Sequence, residues 1–143
     1  MIWLLLLQSP AQTINLAPPI PLRGAISLRR QPGTHHLPQI VKTLKNCSLK
    51  QNVKPPWKMP LEIRIVHQHW SDQLSNMPHG VHRRGRYYPA RNGHPRLIYV
   101  AIGRDAPVSL AHEWLHHLAS IYRRDWSESW VEEQALKCAV RSP

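Results

Sequence analysis

Ser109-Leu110-Ala111-His112-Glu113-Trp114-Leu115-His116-His117-Leu118 carries two patterns at once. Val108, Leu110, Ala111, Trp114, Leu115 and Leu118 recur at helical spacing, and no proline or glycine interrupts Val108 to Tyr122. The spacing therefore predicts an amphipathic helix. On such a helix, residues four apart lie one above the other, so His112 and His116 can aim ring nitrogens at one ion. Glu113 falls beside that point, where a carboxylate can take a proton from water.

This H-E-x-x-H segment, Ser109 to Leu118, resembles the active-site helix of the zincin metallopeptidases. The longer stretch Ser109 to Ala139 resembles the C-terminal part of some bacterial proteins expected to be secreted, which read A-H-E-aromatic-L-H before an acidic helix. The resemblance covers the last part of the chain only. It implies a zinc-dependent hydrolase acting on a peptide or protein, with Zn2+ as cofactor, His112 and His116 as ligands and Glu113 as general base. The alternative reading is a histidine-bearing surface helix that matches the motif by accident.

A catalytic zinc needs a third protein ligand and an open position. The metzincin continuation is excluded, because Ala119 stands at its glycine position and Tyr122 at its third histidine position. No histidine follows His117, which leaves a carboxylate or Cys138. The helix expected over Ser127 to Val140 offers Glu128, Glu132 and Glu133. Glu132 is preferred, because Glu132-x-x-Ala135 resembles the third-ligand helix of gluzincins. Glu128, one turn earlier on the same face, is the alternative, with Glu132 then supporting it. Asp125 or Ser127 can cap this helix, and the break at Arg123–Trp126 predicts that it folds back antiparallel to the first. Tyr122 and Arg123 are the nearest groups in sequence for an oxyanion, although a core-edge tyrosine and a surface arginine are the simpler accounts. His117 reads as a surface histidine, or as a group orienting Glu113.

The chain has 143 residues, enough for one small domain, and with fourteen prolines and no phenylalanine its six tryptophans are expected to carry much of the burial. Residues 1–11 resemble a short secretory signal peptide, and Ile2 to Leu7 is far too short to span a membrane. Secreted or periplasmic placement follows from that reading, and cytoplasmic placement from a start that is not a signal. Residues 12–60, with Pro18-Pro19, Pro21, Pro32, Pro38 and Pro55-Pro56, are expected to be loosely ordered, apart from a helical turn or two over Gln39 to Asn46. Residues 61–143 are expected to form the metal-binding domain. Leu61 to His69 alternates as a strand does, and Tyr87-Tyr88 and Leu97 to Ile102 read as two more strands joined through Asn92-Gly93. Asp105, with Pro107 behind it, is the expected cap of the metal helix. The fold class expected is α+β: a small antiparallel sheet, the metal helix, then an antiparallel C-terminal helix. In zincins an edge strand aligns an extended substrate, a role open to Leu97 to Ile102 or its neighbour.

The net charge is +11. A basic N-terminal region can meet an anionic polymer or surface. Arg83-Arg84-Gly85-Arg86-Tyr87-Tyr88 supports a rival function, a non-enzymatic nucleic-acid-binding module, and a degenerate, inactive metal-binding protein is a further alternative. Cys47 and Cys138 are expected to pair after export and to stay free in the cytosol. His35, His36, His67, His69, His79 and His82 read as scattered exposed histidines more readily than as a second metal site.

Overall fold

The computed structural model describes residues 15–35, 37–67 and 84–141. Among these the chain forms β1 (Ile20–Arg23), β2 (Ile26–Arg30), α1 (Ile40–Lys50), β3 (Leu61–Val66), β4 (Gly85–Tyr88), β5 (Arg96–Ala101), α2 (Ala106–Tyr122) and α3 (Glu128–Cys138). The class is α+β, as expected. The candidate signal peptide at 1–11, and His36, His69, His79 and His82, lie outside the described residues.

The sheet is mixed rather than wholly antiparallel. Its order is β1-β2-β3-β5-β4. The outer pairs β1–β2 and β4–β5 are antiparallel, while β2–β3 and β3–β5 are parallel. Parallel neighbours need a crossover between them, and α1 lies within the connection from β2 to β3. The β4–β5 hairpin follows the sequence reading. Asn92 and Gly93 take φ of 46° and 81°, the paired positive angles of a type I′ turn, between bridged Arg91 and His94.

Over residues 15–35 and 37–60, the expectation of a loosely ordered segment does not hold. Ile26 and Leu28 of β2 line up with Leu61 and Ile63 of β3 and face the same core. Pro21 sits in β1, the terminal strand of the sheet, where a missing N–H costs least. Alternation places Ile26, Leu28, Leu61, Ile63, Ile65, Ile98 and Val100 on the helix-covered face, each at most 2 % exposed. The helices answer with Ile40, Leu44, Leu110, Trp114, Leu118, Val131 and Ala135. Aliphatic residues thus make this core. Among the described tryptophans only Trp114 is fully buried, and Trp57, Trp126 and Trp130 pack at its margin.

Cys47 and Cys138 are joined as a disulfide across a separation of 91 residues. A bridge over so long a loop stabilises a fold by roughly 4–5 kcal/mol through the unfolded chain. Asn46 donates to the Cys138 carbonyl at 2.8 Å, and Trp114 Nε1 donates to Ser48 Oγ at 3.0 Å. These bonds tie α1 to both later helices. No helix among the described residues is long and apolar enough to cross a membrane.

Candidate metal centre

The site is built from α2 outward. Buried Leu110, Ala111, Trp114, Leu115 and Leu118 lock one face of this helix into the core. That choice of buried face turns His112 and His116 outward, with side chains 17 % and 30 % exposed. Asp105 occupies the N-cap position without a capping bond, because its carboxylate pairs with Arg84 instead. Pro107 lies in the first turn, as its fixed φ favours.

The Nε2 atoms of His112 and His116 stand 3.1 Å apart. Glu128 closes the third side. Its Oε1 lies 2.7 Å from His112 Nε2 and its Oε2 3.0 Å from His116 Nε2. Ligands held tetrahedrally by zinc at about 2.0–2.1 Å lie about 3.3 Å from one another. The three side chains therefore need to part by about 0.2–0.6 Å to share an ion. Two imidazoles and one carboxylate are also a donor set that zinc accepts.

Glu132, the favoured third ligand, is exposed on α3, and the structure brings Glu128 to the histidines in its place. The linker explains the difference. Residues 124–127 carry no helix, so they advance the chain by up to about 13 Å. His116 lies six residues, or about 9 Å of helix, behind Tyr122. The first residue of α3 is thus already level with the pair. Ser127, one of the two expected caps, accepts from Trp130 N at 3.2 Å and starts the helix there.

Glu113 occupies a different position. Its ligand atom lies within 4.8 Å of those of His112 and His116, yet the residue is only 6 % exposed. Two carboxylates approach the pair, and their contacts separate them. Glu128 touches both rings from the solvent side, while Glu113 packs between α2 and β4. There it meets Gly85, a residue the sequence reading did not single out. A Cβ at Gly85 would stand 3.1 Å from Glu113 Cγ, 3.2 Å from its Oε2 and 3.1 Å from the Tyr99 carbonyl. Since one of those neighbours is backbone, Gly85→Ala is expected to lower stability by about 1–3 kcal/mol. A denaturant midpoint measures it, and an unchanged midpoint would show that the strand gives way freely.

His117 is buried rather than at the surface. Its Nδ1 lies 3.2 Å from Tyr87 Oη, its ring packs on Tyr87 and Trp114, and its Nε2 is buried without a hydrogen-bond partner among the described residues. Burial, with a smaller contribution from the Arg96 charge, pushes its pKa down to about 3. Gly85 and Tyr87 alternate along β4 onto Glu113 and His117, four apart on α2, which gives one strand face matched to one helix face.

Tyr122 donates its hydroxyl to the Lys54 carbonyl, and Arg123 is the left-handed C-cap of α2. His67 Nε2 lies 2.9 Å from the Pro32 carbonyl, and His35 is exposed. Of the described residues of the rival reading, Arg86 lies over Tyr88, Arg84 pairs with Asp105, and Tyr87 Oη meets His117 Nδ1. No protein-family model matches the chain, and no curated protein or solved structure matches it.

Proposed function

We propose that this chain is a zinc-dependent hydrolase of the metallopeptidase type, with His112, His116 and Glu128 holding the metal and Glu113 serving as general base. What carries the reading is the convergence of two Nε2 atoms and one carboxylate, with a second, buried carboxylate beside them. A zinc ion in that position supplies a Lewis acid that acidifies water and polarises a carbonyl. Glu113 takes a proton onto its carboxylate and returns it to the leaving amine. Its burial against Gly85 keeps that oxygen aimed and shielded. β4, terminal in the sheet order and packed on Glu113, is the strand against which an extended peptide would align. The disulfide supports export to an oxidising compartment.

Elemental analysis of the purified protein tests the metal, and digestion of unfolded protein substrates tests the chemistry. About one zinc per chain is expected, lost in His112→Ala. Glu128→Gln is expected to bind zinc about 10–100-fold more weakly, and Glu132→Gln to match the unaltered protein. Zinc binding that is indifferent to His112→Ala would remove the proposal. So would weakening by Glu132→Gln but not by Glu128→Gln.

A further inference from the structure

The helix that brings Glu128 to the histidines packs on α2 and the core through one stripe, Val131 and Ala135, with Trp130 at its margin. α3 has 11 residues, and its fully buried side chains are Val131, Ala135 and Cys138, a single narrow stripe. Glu132, Glu133, Leu136 and Lys137 face solvent. A helix of that length does not hold itself together in water, so its placement is set by what it is fastened to. Its disulfide and the side-chain hydrogen bonds that run to α1 lie in its C-terminal half. Cys138 is bonded to Cys47, and its carbonyl accepts from Asn46 Nδ2. Lys50 Nζ donates to the Lys137 carbonyl at 3.2 Å, Gln51 Nε2 to Gln134 Oε1 at 3.2 Å, and Val140 N to Thr43 Oγ1 at 3.1 Å. The disulfide is the one covalent member of this group, and both its cysteines are fully buried.

Glu128 occupies the opposite end. It is the first residue of α3, and its side chain is 59 % exposed. Successive residues of a helix lie about 1.5 Å and 100° apart. A small slip or axial turn of α3 would therefore swing Glu128 off the imidazoles while leaving His112 and His116 in place on α2.

We propose that the Cys47–Cys138 disulfide positions Glu128, so that closing this bond completes the metal site. This rests on the reading of His112, His116 and Glu128 as ligands. The disulfide forms as each thiol gives up one proton and one electron; a disulfide-type oxidant accepts them and leaves as two thiols. Before that step the chain offers zinc two histidines on α2. After it, the chain offers two histidines and a fixed carboxylate. Metal loading then follows oxidation, and the chain holds zinc weakly in any compartment that keeps its thiols reduced. Cys47 and Cys138 act here as positioning residues and touch neither metal nor substrate.

The test is a double cycle read with Zn2+ alone, by competition against a chromophoric chelator, on the full chain. It compares the oxidised protein, Cys47→Ala/Cys138→Ala, Glu128→Gln and the combination. Loss of the disulfide is expected to weaken zinc binding about 10–100-fold, as loss of a ligand's support does. In the Glu128→Gln background the same loss is expected to change affinity by less than about twofold, because the carboxylate it positions is gone. Equal affinity with and without the disulfide overturns the proposal. An equal weakening in both backgrounds also overturns it, since the bridge would then act on the whole fold. If no oxidised form binds zinc, the metal reading itself fails.

Should the cysteine-free chain lose its helical circular dichroism, the cycle is read in the other direction. Coupling is reciprocal, so zinc must shift the Cys47–Cys138 equilibrium in a glutathione buffer towards the disulfide by the same factor. That shift is expected to disappear in Glu128→Gln, and its survival there overturns the proposal.

Discussion

Glu113→Gln is expected to keep its zinc and to lose peptide hydrolysis by a factor of about 10²–10⁴, the usual contribution of a positioned base. Glutamine keeps the shape and volume of the buried side chain, so the packing on Gly85 survives, and Glu113 is not one of the three groups proposed as ligands. What it cannot do is accept a proton. The expected signature is a fall in kcat with little change in KM, because the lost interaction belongs to the reaction rather than to binding. Zinc stoichiometry, measured on the same sample, separates this from a damaged site. Two outcomes would reassign Glu113. Loss of zinc in Glu113→Gln would make it a ligand, a reading its 6 % exposure and its contact with β4 argue against. Full activity in Glu113→Gln would move the base elsewhere or remove the reaction altogether.

Glu113 also shows how a carboxylate one residue from a proposed ligand comes to lie in a different environment. Its neighbour on α2 turns outward, while it turns towards the sheet. Room for it there depends on a residue with no side chain at the start of β4. The two carboxylates near the histidines are thus sorted by environment. Glu128 sits at an exposed helix start against both imidazoles, whereas Glu113 is buried against Gly85.

The helical reading of α2 was available from the sequence because its apolar residues follow one period without a break from Val108 to Leu118. The turn at Asn92-Gly93 was available because few other residue pairs adopt positive φ twice in succession. The carboxylate that meets the histidines was less legible. Glu128 and Glu132 share a helix face, so periodicity cannot choose between them. The choice depends on how far the linker 124–127 travels, and no side-chain pattern encodes that distance. β1 and β2 were obscured by Pro18, Pro19 and Pro21, although Ile26 and Leu28 alternate as strand residues do. The parallel pairings were hidden for a different reason. A strand's own sequence shows which residues face the core and not which neighbour it meets. His117 was misread because a charged-type residue at the edge of an apolar stripe looks like a boundary. Tyr87, far away in sequence, closes over it instead.

Acid is expected to destabilise the zinc-free protein through that histidine. In the folded chain the His117 pKa is about 3, against an ordinary value of 6.5, because burial disfavours the charged ring and Arg96 adds repulsion. The unfolded chain therefore binds the proton more readily. The stabilisation from keeping His117 neutral is fully present above about pH 6.5 and drains away as pH falls towards 3. Over that interval it amounts to about 5 kcal/mol, which equals the whole stability of a marginal domain. At about pH 4.5 the expected loss is already about 3 kcal/mol. His117→Leu, which keeps an apolar side chain between Tyr87 and Trp114, is expected to be slightly less stable at neutral pH and clearly more stable than the unaltered protein near pH 4. The crossing of the two curves is the informative feature. Urea midpoints across the pH range, with a chelator present to keep zinc linkage out, measure it. Other titrating groups are common to both proteins and cancel in the difference. Midpoints that fall in parallel would mean that the ring is hydrated or protonated in the native state, and that the space between α2 and β4 is more open to water than its packing implies.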